Sequence, residues 1–151
     1  MRVGVLGPVQ VVRAGTPAAA GPPKQRALLA ALALHLGSPV GVDTLADLLW
    51  GDDVPGEVNA SLHTYVAGLR RLLEPGRGAR SPSALLVTVG TGYALRLPPG
   101  ALDAAEFTER VGRAHARSAS APPEVLIEEL DAALALWRGT PYPELGEAAD
   151  A

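Results

Sequence analysis

Residues 55–97 constrain this chain more than any other stretch. The spacing predicts one long helix, P-G-E-V-N-A-S-L-H-T-Y-V-A-G-L-R-R-L-L-E, from Pro55 to Glu74. A basic loop follows at 75–84, expected to be mobile, and then a short hairpin, L-L-V-T-V-G-T-G-Y-A-L-R-L, from Leu85 to Leu97. At about 100° per residue, Leu62, Val66, Leu69 and Leu73 fall on one narrow stripe, the face of a helix that enters a core. Ala60, Thr64, Ala67 and Arg71 lie opposite. His63 and Arg70 share one flank, and Tyr65 and Leu72 the other. The outward face is therefore small, with a polar and cationic edge. Arg70 and Arg71 also complement the negative end of the helix dipole. The hairpin is expected to turn at Gly90-Thr91-Gly92, with Tyr93 anchoring its return strand. A helix with one dry face and a basic end, followed by a tight two-strand wing, suits a duplex major groove with the wing on the neighbouring backbone.

The flanking segments complete an organisation around this unit. Residues 2–13 alternate as two short strands about Gly7-Pro8, and 14–23 form a loop with room for one more. A helix is expected from Lys24 to Leu36, opened by Pro22-Pro23 and closed by Gly37. A second runs from Val42 or Asp43 to Trp50. Pro98-Pro99-Gly100 marks a boundary, dividing the chain into 1–97 and 101–151. Beyond it, helices are expected at about Asp103–Ser118 and Pro123–Trp137, joined as an antiparallel hairpin like one tetratricopeptide unit, with Trp137 and Tyr142 as packing residues of that half. A lone pair of this kind must rest on the first half, dimerise, or belong to a longer stack. The fold class is thus an α+β winged helix-turn-helix followed by an all-α segment.

Charge divides along the same boundary. The net charge of −3 averages two unlike halves. Residues 1–97 hold nine basic and six acidic side chains, whereas 98–151 hold four arginines and ten acids. Such asymmetry fits a basic module that meets a polyanion and an acidic one that meets something else. The absence of cysteine excludes a disulfide scaffold, a thiolate metal site and a Cys nucleophile, and is compatible with a reducing compartment. The start of the chain breaks at Gly7-Pro8, too early for a signal-peptide core, and no apolar run reaches membrane-spanning length. A cytoplasmic, nucleoid-associated protein with no membrane contact is expected. His35, His63 and His115 sit in three separate predicted helices without carboxylates at ligand spacing, and no nucleophile elbow or phosphate loop is present. No enzyme activity, cofactor or metal is expected.

Candidate contact residues follow from position. Arg70 and Arg71 suit phosphates, with dipole complementation as the plainer cause. Thr64 and Ala67 suit base edges or thymine methyls. His63 is a groove contact or an ordinary surface histidine. Asn59 is a phosphate or base contact, or a polar first-turn residue. Trp50 packs in the core, with its indole N–H available to a phosphate. Lys24 and Arg26 stand where a loop enters a helix and are candidate contacts for the duplex backbone there.

Particular strings go further. K-Q-R-A-L-L-A-A-L-A-L-H (24–35), L-L-W-G (48–51), L-H-T-Y-V-A-G-L-R-R-L-L-E-P (62–75) and G-T-G-Y (90–93) resemble the OmpR-type DNA-binding half of the Streptomyces antibiotic regulatory proteins. L-D-A-A-E-F (102–107) and A-L-A-L-W-R-G-T-P-Y-P-E-L (133–145) resemble the start of that family's bacterial transcriptional activation domain. The resemblance implies an activator, of the kind that controls antibiotic biosynthesis clusters, that binds direct repeats near a promoter and recruits RNA polymerase. It implies that helix 55–74 enters the major groove, that Thr64 contacts a base and Arg70 a phosphate, and that the turn with Thr91 and Gly92 touches the adjacent minor groove or backbone. Loop 51–56 corresponds to the region that meets polymerase. A homodimer through the helical half or on DNA is a further expectation. Family members commonly carry Ser-Arg where this chain has Ala67-Gly68, and often an arginine where it has Val89. These departures keep a second expectation open, a winged-helix protein-interaction module that has lost DNA binding.

Overall fold

A computed structural model describes the backbone of residues 1–150 and the side chains of residues 1–146. The chain opens with β1 (Arg2–Gly4), β2 (Gln10–Arg13) and β3 (Thr16–Ala18), an antiparallel sheet in that order. Val3, Val5 and Val11 are fully buried, as the alternation predicts. β2 and β3 are joined by Ala14-Gly15, both at positive φ, the conformation that lets a two-residue turn follow the twist of its strands.

α1 (Pro23–Leu34) is buried along its whole middle, Ala27 to Ala33, and packs against helices on several sides. It ends two residues before the expected Leu36. α2 (Val42–Trp50) follows after a turn. α3 (Val58–Leu73) is shorter than the expected Pro55–Glu74 at both ends. Pro55, Gly56 and Glu57 remain outside the helix, Gly56 and Glu57 as a turn, because glycine gains little from a helical first turn. Glu74 leaves helical geometry (φ −129°, ψ 66°), as a residue before proline tends to. The predicted stripe holds: Leu62, Val66, Leu69 and Leu73 are buried, and Leu72 joins them.

β4 (Leu86–Val89) and β5 (Gly92–Leu95) form the hairpin, within the expected Leu85–Leu97 but tighter. Its turn is Gly90-Thr91 alone, with Gly90 at φ +58°. Gly92, expected in the turn, is the first residue of β5 and is buried. A Cβ there would stand 2.2 Å from the Val40 carbonyl oxygen, so only glycine lets the hairpin lie on the segment before α2. Tyr93 secures that contact: its N–H donates to Val40 O at 3.0 Å, and the Val40 N–H donates back at 2.8 Å.

The helical half consists of α4 (Asp103–Ala116), α5 (Pro123–Leu134) and α6 (Pro143–Asp150). The first two end short of the expected Ser118 and Trp137, and α6 had no counterpart among the expected elements. Phe107 meets Trp137 edge-on at 5.4 Å, and Arg110 and Arg113 pair with Glu129, so α4 and α5 run antiparallel. Of the three outcomes open to such a pair, the structure shows it resting on the first half. Ala101-Leu102 run beside β1, with the Val3 N–H donating to Ala101 O at 2.7 Å. The buried Asp103 carboxylate accepts the N–H groups of Val5 (2.9 Å) and Leu6 (3.1 Å). Arg138 lies across Gly4 and Gly7, its backbone N–H on Leu6 O and its guanidinium on Pro8 O. Glu144 accepts the Val9 N–H at 2.7 Å, and α6 packs on α1 and α2. The strings V-G-V-L-G-P and R-G-T-P-Y-P-E thus interlock. Tyr142, expected to pack within the helical half, lies against the core of the first half, and its N–H donates to Val5 O at 2.8 Å. The outer side of α5 stays open, with Ile127 and Leu134 exposed.

Candidate nucleic-acid interface

The burial of one stripe of α3 leaves the other clear. Asn59, Ala60, His63, Thr64, Ala67 and Arg71 are all exposed, in one continuous strip along the helix. The Thr64 hydroxyl donates to the Ala60 carbonyl at 3.1 Å, which engages its proton within the helix. At the start of the strip, Asn59 and the wing-tip residue Thr91 line a concavity with Gly41, Asp43 and Thr44 at the head of α2. At its other end stand Arg71 and the loop that carries Arg77 and Arg80.

The structure gives Arg70 an intramolecular task. Its Nε donates to Leu86 O at 2.9 Å and its Nη2 to the Thr88 hydroxyl at 3.0 Å. The guanidinium therefore braces β4 against α3 and sets where the wing lies. Thr88 is exposed although it shares its face of β4 with the buried Leu86, so strand alternation alone does not indicate its position.

Lys24 and Arg26, placed by sequence near the duplex backbone, are engaged inside the protein. The Lys24 ammonium donates to Leu49 O in the last turn of α2 and lies 5.9 Å from the Trp50 ring centroid. A cation is favoured there, because the final carbonyls of a helix lack partners. Arg26 donates to Gly21 O at 2.8 Å and faces Glu144 at 3.9 Å. Trp50 is half-buried, its ring 6.4 Å from Tyr65. Gly92 is covered by Val40 and presents nothing outward. The structure thus brings Asn59, His63, Thr64, Ala67, Arg71 and Thr91 onto one surface, whereas Lys24, Arg26 and Trp50, all part-exposed, are engaged by other parts of the protein and Gly92 is buried.

Sequence reasoning missed Glu74. Its carboxylate accepts the Ser83 hydroxyl and the Ala84 N–H, tying the end of α3 to the approach to β4. Burial alone would raise its pKa, but these hydrogen bonds, with Leu85 N–H and the Arg77 charge, outweigh burial and hold it below the ordinary value. No local spacing signals this, since the partners lie across a loop.

A three-stranded sheet, three helices with one face of the third exposed, and a wing braced to that helix define a winged helix-turn-helix, here joined to a helical segment. Comparison with known proteins agrees. Residues 16–95 match the family described as transcriptional regulatory protein, C terminal, and residues 102–151 match the bacterial transcriptional activator domain. The chain belongs to this family of OmpR-type transcriptional regulators with an activator domain, the architecture of the Streptomyces antibiotic regulatory proteins. It is 40% identical to the transcriptional regulatory protein EmbR of Mycobacterium tuberculosis, over 94% of this chain and 36% of that protein. It is 39% identical to the regulatory protein AfsR of Streptomyces coelicolor, over 92% of this chain and 13% of that one. A solved structure of M. tuberculosis EmbR in complex with a low-affinity phosphopeptide superimposes with a TM-score of 0.87 at 37% identity, covering 97% of this chain and 38% of the other. The chain therefore spans well under half the length of these relatives.

Proposed function

We propose that this chain is the DNA-binding and proximal activation portion of a sequence-specific transcriptional regulator. α3 lies in the major groove of duplex DNA, and the β4–β5 wing rests on the neighbouring backbone. The observation that carries this is the exposed strip of α3, small and uncharged along its length and cationic at one end, beside a wing fixed in place by Arg70. Small side chains let a helix backbone approach base edges closely. Thr64 and Ala67 meet bases, with the Thr64 methyl and the Ala67 side chain suited to thymine methyl groups. His63 and Asn59 supply polar contacts at the edge, Arg71 neutralises phosphate, and Thr91 at the wing tip meets the backbone. The site is at the chromosome, in the cytoplasm. The target in this reading is promoter-proximal direct repeats and the partner RNA polymerase, met by loop 51–56. Pairing of two copies through the helical half or on adjacent repeats completes the proposal.

Selection of bound sites from a random duplex library tests it. The expected outcome is a defined motif whose retardation weakens with salt and is lost in Thr64→Asp/Arg71→Ala. A folded protein that retards no duplex at low salt refutes it.

A further inference from the structure

The loop after α3 is closed rather than open. Glu74 ties its start to Ser83 and Ala84, and the Ser83 hydroxyl in turn accepts the Leu86 N–H at 3.0 Å. In the middle, the Arg77 N–H donates to Glu74 O at 3.1 Å, and its guanidinium donates to Ser81 O. Ser81 N–H donates to Gly78 O at 3.0 Å. Glu74, the one acid in residues 58–97, is thus turned inward, engaged by hydroxyl and amide donors. Among the described residues, Arg71 and Arg80 form no ion pair, and Arg77 Nε is shielded from solvent without a hydrogen-bond partner. A concavity of about 470 Å³, lined by Ala67, Arg70, Arg71, Pro75, Arg77 and Ala79, continues the exposed strip of α3 onto this loop. An end of the molecule that gathers guanidinium groups and turns its acid inward attracts a polyanion.

We infer that loop 75–84 is a second phosphate-binding element, in which Arg77 and Arg80, held by the Glu74-closed loop, grip the duplex backbone flanking the groove that α3 enters. The inference rests on the DNA-binding proposal and adds contacts outside helix and wing. The exposed Arg80 guanidinium can match a phosphate in a bidentate manner, Arg77 adds charge and its remaining Nη2 donor, and continuity with the α3 strip places both along the same duplex. Such contacts add affinity without sequence information.

The test uses the whole chain and the duplex recovered by selection, with dissociation constants measured over a salt series. Arg80 is exposed and has no hydrogen-bond or ion-pair partner among the described residues, so Arg80→Gln is expected to leave the fold intact. It is expected to flatten the slope of log affinity against log salt by about one, and to weaken binding roughly fivefold to tenfold near 0.1 M salt. Arg77→Gln/Arg80→Gln is expected to flatten it by about two while the preferred motif stays the same. Glu74→Ala separates loop holding from bare charge: removing a negative charge should tighten binding, whereas releasing the loop weakens it. Unchanged slopes in both arginine variants, with wild-type protein bound, overturn the loop inference alone. Tighter binding by Glu74→Ala overturns the role of its carboxylate in holding the loop. Failure of the wild type to bind any duplex overturns both proposals.

Discussion

Replacing Gly92 by alanine probes how the wing is seated. The added Cβ would lie 2.2 Å from Val40 O, 2.8 Å from Val40 C and 3.0 Å from Gly41 Cα. All three are backbone atoms at the head of α2, so no side chain can swing aside. Relief requires the hairpin and the 40–41 segment to part by roughly 1 Å, judged against ordinary van der Waals spacing. That separation breaks the reciprocal pair of hydrogen bonds between Val40 and Tyr93. Each is worth about 0.5–1.5 kcal/mol net, and overpacking strain adds about 1–3 kcal/mol. The expected loss is about 2–6 kcal/mol, a large part of the stability of a domain of this size. Gly68→Ala is the internal control. Its Cβ would meet only the Gln25 side-chain end, at 2.0 Å from Oε1. Moving that side chain costs its 2.9 Å hydrogen bond to Ala20 O, about 1 kcal/mol, while alanine in a helix regains about 0.8–1 kcal/mol. The net effect is near zero. Urea unfolding with matched m-values reads both. A Gly92→Ala loss below about 0.5 kcal/mol, or a Gly68→Ala loss exceeding it, refutes the reasoning.

Arg70→Ala is expected to cost about 1–2 kcal/mol of stability, because it removes the bonds to Leu86 O and Thr88; a side chain serving phosphate alone would leave urea unfolding of the free protein unchanged. Asp103→Asn sets an amide against backbone N–H donors and should destabilise by about 2–4 kcal/mol, with both halves melting in one transition; two separate transitions in the wild type would contradict the interlocked account. Glu74 and Glu129 both have folded-state pKa values lowered from the ordinary 4.5, Glu129 chiefly through its hydrogen bond from Arg113. The native state therefore binds fewer protons than the unfolded chain, so these contributions are complete above that value and are lost as pH falls below it. The acid limb of the urea midpoint should flatten in Glu74→Gln, and an unaltered limb counts against the Glu74 assignment.

The sequence was most legible where the signal is local and periodic. The stripe from Leu62 to Leu73 needs only the helical repeat, and the exposed strip is its complement. Turn chemistry located the strands, although Pro55-Gly56 suggested too early a helix start because proline favours a first turn and glycine does not. Lys24 and Arg26 were legible as cations but not as engaged ones. Their partners, Leu49 O at a helix end and Glu144 on α6, are brought near only by tertiary packing. Arg70 shows the same limit: its brace partner is a strand carbonyl beyond a loop, and wheel geometry cannot see it. Asp103 and Glu144 look like surface acids in sequence, yet both cap backbone N–H groups of the turn between β1 and β2.

The claim at the centre is that the exposed strip of α3 touches base edges in the major groove. Group deletion within the selected duplex tests it directly. Deoxyuridine for thymine removes only the 5-methyl group, and 7-deazapurine for purine removes only the N7 acceptor, both confined to the major groove. The account predicts at least roughly fivefold weaker binding at two or more neighbouring base pairs, the equivalent of about 1 kcal/mol per contact. Equal binding of every substituted duplex, by protein that still recognises the parent site, would contradict it.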